Sequence, residues 1–530
     1  MVRPAAFVSL CVFFSCAGAF AQGPCSTQSS KLACVIPQEY GSKAFDFTNV
    51  LYPVAGHAFH FSSDFATTLQ PLTAEIGRQA NLLPLASPSS GVVLVYDPSL
   101  KTLVISTDSL GPILGERART VGRHRLFIGF SYQFFNFDKI DSVNLSNIPN
   151  VLTHRIDTTD NTTNNGVGPP VVTCDPSILV SSQENLNGCG FVRDQISTVN
   201  SISLKVNQYT SYITFGLTNR IDVSMVIPIE NVRMALASQD TIVLGTNGFI
   251  VPTPGSPDAT VGNQQTFPST GAPATNGPPY FFHLFKNCPN TSPPSGATGL
   301  ASTCLNHTFP DPAFTGSGSN PNNSASGIGD VVARVKWNVW NGERAGFAAG
   351  LDVRFPTGDA LNYLGSGSYG VKPFAVFSYR ARVSPHVLLG YEWNTQSITA
   401  GDLAAGVKGN VPNDLVYTAG ADARVTKWLT GDFDIVGQRF FGTETVSVAP
   451  QQFLANCGVC TANPTPNTVA IPTLVTHPNS SYNMTNASMG IKVRPFAKAK
   501  LVFTANVLVR LDDGGLRSKA VPLAGVGYTF

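Results

Sequence analysis

Residues 329–356 read GDVVARVKWNVWNGERAGFAAGLDVRFP, and this stretch decides the fold. Val331, Ala333, Val335, Trp337 and Val339 alternate with Asp330, Arg334, Lys336 and Asn338. After the turn Asn341-Gly342-Glu343-Arg344, Phe347, Ala349, Leu351, Val353 and Phe355 alternate with Ala348, Gly350, Asp352 and Arg354. A period of two marks a strand with unlike faces. Each arm matches the roughly 9–11 residues that a tilted strand needs to cross a bilayer. The apolar side suits lipid, and the charges fall on the other.

The pattern recurs on both sides of this hairpin. Leu126, Ile128, Phe130, Tyr132 and Phe134 alternate with Arg125, Phe127, Gly129, Ser131 and Gln133. Val387, Leu389, Tyr391 and Trp393 face away from Glu392 and Asn394, and Leu501, Phe503, Ala505, Val507 and Val509 face away from Thr504, Asn506 and Arg510. Twelve such strands are expected, near 124–137, 202–217, 221–231, 329–340, 345–356, 370–381, 385–396, 413–425, 428–441, 483–495, 500–511 and 519–530. Lys372, Pro373 and Phe374 leave the facing of 370–381 open.

The connections alternate. Thr218-Asn219-Arg220, residues 341–344, Val383-Ser384, Thr426-Lys427 and Ala497-Lys498-Ala499 are short. The connections through 138–201, 232–328, 357–369, 397–412 and 442–482 are long, and only 512–518 is brief. Short turns at one end and long loops at the other are the plan of an outer-membrane barrel. The expected fold is therefore an all-β transmembrane antiparallel β-barrel over residues 121–530. A large secreted sandwich would also alternate, but it gives no reason for segments of spanning length. At the C-terminus Ala524, Val526, Tyr528 and Phe530 are apolar at every second position, and the terminal Tyr528 and Phe530 resemble the signal read by the barrel assembly machinery.

Composition agrees. Only 12% of the 530 residues are charged, against roughly 25% in a soluble domain, while 43% are hydrophobic. A net charge of +2 argues against nucleic acid as a partner. Arg3, the apolar run from Ala5 to Phe20 and Ala19-Phe20-Ala21 read as a signal peptide over 1–21. The mature chain then keeps Cys25 with Cys34, Cys174 with Cys189, Cys288 with Cys304, and Cys457 with Cys460. Local disulfides are the economical reading in an oxidising compartment. A lone Cys-x-x-Cys at 457–460 supplies only two of four metal ligands.

Residues 22–120 do not follow the barrel pattern and are expected to form a plug inside the lumen or a periplasmic segment. Val92 to Tyr96 and Thr102 to Ser106 read as a hairpin around Asp97-Pro98-Ser99, too short to span. If it joined the wall, the barrel would have fourteen strands. Ser109 to Arg117 reads as a helical turn opened by Pro112.

Gly327-Ile328-Gly329-Asp330-Val331, followed by Phe355-Pro356-Thr357-Gly358-Asp359, resembles the outer-membrane transporters grouped as meta-pathway of phenol degradation proteins, related in kind to long-chain fatty-acid transporters. Gly216-Leu217-Thr218-Asn219-Arg220-Ile221-Asp222-Val223, ending at Pro228, is similar to a second stretch of that family. The resemblance covers roughly 200–395, and its motifs are glycines and turn residues of the scaffold. It implies passage of small hydrophobic or aromatic molecules. Typical members lack the long cysteine-bearing loops found here.

No catalytic or cofactor pattern emerges. A barrel-surface lipase needs a histidine within reach of a serine, and only His124 and His386 lie at expected strands. His57-x-x-His60 lacks further metal ligands, and Gly365-Ser366-Gly367-Ser368-Tyr369-Gly370 lies between antiparallel strands, where it reads as a flexible turn. The expected lumen lining is Arg125, Asp222, Arg334, Lys336, Asp352, Arg354, Glu392, Asp422, Arg424, Asp432, Asp434, Lys492, Arg494 and Arg510. These groups suit an internal ion-pair network or a polar wall for a plug. The expected function is passive transport by a monomer in outer-membrane lipid, with Pro373 as a kink for lateral exit. The alternative is an adhesin or receptor acting through its disulfide-pinned loops.

Overall fold

The computed structural model describes residues 31–36, 72–74, 76–77, 94–97, 102–105, 109–153, 195–243, 249–250, 280–281, 306–309, 322–403, 406–454, 468–496 and 500–530. Twelve antiparallel wall strands close into one barrel. They are β1 (Leu126–Ile140), β2 (Gln195–Gly216), β3 (Ile221–Val243), β4 (Asn322–Ile328 continued by Val331–Asn341), β5 (Ala345–Phe355), β6 (Gly370–Tyr379), β7 (Val383–Asn394), β8 (Asn413–Arg424), β9 (Leu429–Leu454), β10 (Thr468–Val493), β11 (Leu501–Arg510) and β12 (Ala520–Thr529). Closure comes from β12 on β1, with Thr529 opposite Phe127 and Leu523 opposite Gln133. The Phe530 amide donates to the Leu126 carbonyl at 2.7 Å, so the last residue helps seal the seam.

The pleat sorts the side chains as the alternation requires. Val335, Trp337, Leu351, Val387, Leu389, Trp393, Phe433 and Ile491 are exposed on the outside, while Lys336, Asp352, Glu392 and Asp432 are buried within. Among the described residues no helix is long and apolar enough to cross a membrane. Closure pairs each wall strand on both sides over its membrane-spanning part, as a spanning sheet in hydrocarbon requires. Aromatic contacts gather toward the long-loop end, where Tyr391 packs on Trp393 (5.1 Å) and on Phe441 (6.3 Å), and Phe355 meets Tyr369 edge-on at 6.2 Å.

Several expectations need correction. β3 runs on to Val243, and β9 and β10 pair from Leu429↔Val493 to Leu454↔Thr468, with the register shifting on either side of Thr443. Much of 232–243, 442–454 and 468–482 is therefore ladder rather than loop. At about 3.3 Å per residue, these strands are longer than a bilayer is thick. Beyond the lipid the outer face need not be apolar, so the alternation lapses while the pairing continues. The hairpin forms (Leu94–Asp97 with Thr102–Ile105), but as a separate two-stranded sheet, so the wall has twelve strands and not fourteen.

The open facing of β6 is settled: Lys372 and Phe374 turn inward, and Pro373 faces out. Pairing between β6 and β7 runs through Val371↔Trp393 and resumes at Phe374↔Gly390, leaving a gap at Lys372 and Pro373. Leu351 sits mid-strand on the lipid side. Leu351→Arg should lower the unfolding free energy by about 2–4 kcal/mol, read by urea titration in phospholipid vesicles. Unchanged stability would mean that β5 is set one residue out of this register.

Candidate functional site: the occupied lumen

Among the described residues the lumen holds several pieces of chain that are not part of the wall. The first is 109–121, which runs without regular secondary structure rather than as the expected helical turn. Such a strip has no ladder partner, so its buried peptide groups need side-chain partners. The wall supplies them. The amides of Ile113 and Gly115 donate to Asp432 and Asp434 at 3.0 Å each, and that of Val121 donates to Asp222 at 2.9 Å. The Pro112 carbonyl accepts from Lys492 Nζ at 2.5 Å, and the Ala118 carbonyl from Asn338 Nδ2 at 2.6 Å. Lys336 Nζ uses all three donors, on Glu116 (2.7 Å) and on the carbonyls of Arg117 (3.2 Å) and Arg119 (2.9 Å).

Ion pairs tie the strip to the wall as well. Glu116 bridges Lys336 and Arg334 (2.9 Å), while Arg117 reaches Asp422 at 2.5 Å and Ser109 hydrogen-bonds the same carboxylate. Arg334 also grips Asp352 at 2.6 Å and lies 4.7 Å over the Phe374 ring. The chain of pairs continues through Lys372 (3.2 Å to Asp352), Glu392 and Arg354 to Asp330. These groups are almost all buried, where a charge left alone costs several kcal/mol and a hydrogen-bonded pair offsets that cost. Removing one partner is therefore expensive even where the pair itself adds little.

The second piece is the β5–β6 loop, 356–369, which folds inward rather than forming a flexible turn. A bracket built from Gly-Asp at 329–330 and Thr-Gly at 357–358 pins it. Thr357 Oγ1 donates to the Gly329 carbonyl (2.7 Å) and accepts from the Val331 amide (3.0 Å). Asp330 accepts from the amides of Gly358 (3.1 Å) and Ser366 (2.8 Å). A Cβ on Gly358 would meet the backbone of Leu364 at 2.3 Å, and one on Gly365 would meet Gly358 Cα at 2.6 Å. Only glycine allows these strands of loop to pass so closely.

The loop's Leu361, Tyr363 and Leu364 join Leu32–Ile36, Leu72 and Ile76 in one apolar cluster with Ile202, Leu204, Val206, Val232, Met234 and Leu236 of the wall. Lys31 pairs with Asp359 at 2.6 Å and Asn362 accepts from the Leu32 amide at 3.2 Å. Cys34 is fully buried there and disulfide-bonded. Cys25, Cys174, Cys189, Cys288, Cys304, Cys457 and Cys460, and the signal peptide, lie outside the described residues. Beside β2 and β3 the lumen is thus apolar toward the long loops and charged toward the short turns, while Arg510 and Arg517 add ion pairs at the long-loop end of β11. Burial pushes the Tyr363 phenol up, and its hydroxyl makes no hydrogen bond within the described residues.

Of the expected lining, Arg334, Lys336, Asp352, Arg354 and Glu392 come together in one network, and Asp422, Asp432, Asp434 and Lys492 gather around the strip's first half. Asp222 holds its end. Arg125, Arg424 and Arg494 lie instead at the short-turn rim, the last donating to the Lys427 carbonyl at 3.0 Å. Arg510 sits at the opposite end with Asp138 (2.6 Å) and Asp513. Sequence reasoning missed Glu116, Arg117, Asp330, Lys372, Asp414, His386 and Glu230. Parity along the strands finds Asp330, Asp414, His386 and Glu230, the open facing of 370–381 hides Lys372, and nothing local marks Glu116 or Arg117.

Ligating atoms of His386, Asp432 and Asp434 lie within 4.8 Å of one another. Both carboxylates already receive strip amides, and His386 Nε2 is 2.7 Å from Asp434, so the trio serves to anchor the strip. A Ser447–His477 pair at 2.7 Å lies exposed on the β9–β10 hairpin. No carboxylate among the described residues orients that ring, as a nucleophile–base pair requires.

A closed twelve-strand wall with an apolar outside and a charged inside defines a β-barrel of the Gram-negative-type outer membrane. Within it, residues 301–443, about a quarter of the chain, match the model of the phenol-degradation MetA-pathway family. No curated protein sequence matches the chain. Among solved structures it is similar to an outer membrane channel from Pseudomonas putida F1 (10% identity, 78% of this chain and 98% of that one, TM-score 0.38). It is also similar to a Pseudomonas aeruginosa FadL homologue (9% identity, 77% and 89%, TM-score 0.24). A third is the Ralstonia pickettii toluene transporter TbuX (10% identity, 77% and 90%, TM-score 0.23).

Lys336→Met leaves two strip carbonyls and Glu116 without their shared donor. Tryptic cleavage after Arg117 or Arg119 in the folded barrel should then quicken by about tenfold, as loss of a charged hydrogen bond implies. Equal resistance in both proteins would mean the strip is held without this lysine.

Proposed function

We propose that the chain is a passive, monomeric outer-membrane transporter for small hydrophobic or aromatic molecules, with the N-terminal segment acting as a plug. The observation that carries this reading is how the lumen is filled. The strip 109–121 is joined to the wall by side-chain hydrogen bonds and ion pairs, not by a ladder. It can therefore shift without breaking any wall strand. Above it, the apolar packing of Leu361, Tyr363 and Leu364 with Leu32–Ile36 offers dispersion contacts to an apolar cargo that displaces part of it, and holds off bulk ions.

Polar groups in and beside this apolar packing suit a cargo carrying a hydroxyl. Gln208 Oε1, Thr210 Oγ1, Glu230 Oε2 and the Tyr363 hydroxyl are buried and make no hydrogen bond within the described residues. Leaving such atoms unmet costs about 1–3 kcal/mol each, so a polar-ended guest gains by meeting them. The family model's link to phenol degradation supports the same class. In this reading the barrel is inserted by the barrel assembly machinery, with Tyr528 and Phe530 as its signal.

Single-channel recording in planar bilayers tests the plug. Full-length protein should conduct little, and protein lacking residues 22–120 should show a distinctly larger conductance. Two silent forms would mean a lumen filled by its own wall, and transport would have to be abandoned. The gap in pairing at Lys372 and Pro373 gives the exit a place in the wall. Pro373→Ala, which restores a donor, should slow uptake of an aromatic tracer into vesicles while leaving the barrel folded. Unchanged uptake would exclude this route.

A further inference from the structure

The short-turn end of the barrel is strongly basic. Arg123, Arg220, Arg344, Arg382 and Lys427 are exposed there, and Arg119, Arg380, Arg424, Arg494 and Lys500 are partly so. Among the described residues Glu343 is the one exposed carboxylate at that end. In a chain whose net charge is only +2, this is a marked separation of charge.

Four of the arginines converge on one notch, where the lumenal strip leaves the mouth between the β4–β5 and β6–β7 turns. Arg117, Arg119, Arg344 and Arg380 line it together with Ser378 and Tyr379. The Arg380 amide donates to the Arg344 carbonyl at 2.6 Å, which holds the two turns together. Arg117 is engaged by Asp422. No carboxylate among the described residues lies within ion-pair distance of Arg119 or Arg344. Cationic side chains lining one notch repel one another, and an anion bound there would offset that repulsion while accepting the N–H groups of Arg119 and Arg344.

The size of the notch limits what it takes. It has room for about one or two water-sized groups, about 20 Å³. That fits the oxygens of a single phosphate or carboxylate, with the rest of the molecule outside. Trp340, half-exposed, precedes the turn, so the notch lies where a membrane surface and the periplasm meet.

We infer that this notch is a binding site for one oxyanion group, phosphate or carboxylate, carried by an inner-leaflet phospholipid or by a small soluble acid. The inference does not depend on what the barrel transports, because binding is read directly. The test uses full-length protein in maltoside micelles, titrated with inorganic phosphate and with benzoate by calorimetry. In parallel, protein in nanodiscs of phosphatidylcholine with and without phosphatidylglycerol is examined for retained lipid by native mass spectrometry.

Wild type should bind at least one of these probes, and Arg119→Gln with Arg344→Gln should weaken that binding by about tenfold or more, as expected for two lost charged hydrogen bonds. Arg344→Lys, which keeps the charge and loses the fork, should fall between. Heat-modifiable gel mobility confirms that each variant is a closed barrel, and the lysine variant carries the test if the double variant fails to fold. Binding of phosphate or benzoate assigns the site to soluble acids, and retention of phosphatidylglycerol alone assigns it to lipid. No binding of any probe by wild type, or equal binding by the variants, overturns the site.

Discussion

A peptide segment enclosed by a closed sheet has no free strand edge to pair with, yet its amides and carbonyls still need partners. Much of the charge in the lower lumen answers that need. Asp222, Asp432 and Asp434 face strip amides, and Lys336, Lys492 and Asn338 face strip carbonyls. This explains why buried carboxylates outnumber buried cations in the network: several are met by peptide N–H groups and not by ammonium or guanidinium. An ion-pair network and a docking wall, which sequence reasoning sets against each other, are here the same residues.

The family motifs take on a physical meaning in this frame. Gly-Asp at 329–330 and Thr-Gly at 357–358 are far apart along the chain but adjacent across β4 and β5. They form the bracket that folds the β5–β6 loop into the lumen. Arg354 then carries the bracket into the charge network through Asp330 and Glu392. In this chain the motif holds a loop inside the barrel, a role in the scaffold.

The lumen divides along its axis. The lower half uses directional bonds to one strip of backbone, while the upper half packs Leu32–Ile36 and Leu361, Tyr363 and Leu364 by apolar contact. Apolar contacts are non-directional and tolerate exchange of one hydrophobic group for another. Charged hydrogen bonds fix a single position.

The barrel, its twelve strands, their facing outside 370–381 and its short-turn end were legible in the sequence. Alternation of period two is a local property, and charge on the lipid side is too costly for the register to slip. Arg334, Lys336, Asp352, Arg354 and Glu392 could be placed inside for the same reason. The strand extensions past the membrane were not legible, because pairing in water imposes no outward apolar pattern. Nor was the fate of Ser109–Val121, whose residues carry no periodicity of any kind. Which wall carboxylate meets which amide, and which arginines share a notch, depends on contacts between residues hundreds apart, and only closure of the sheet brings those residues together.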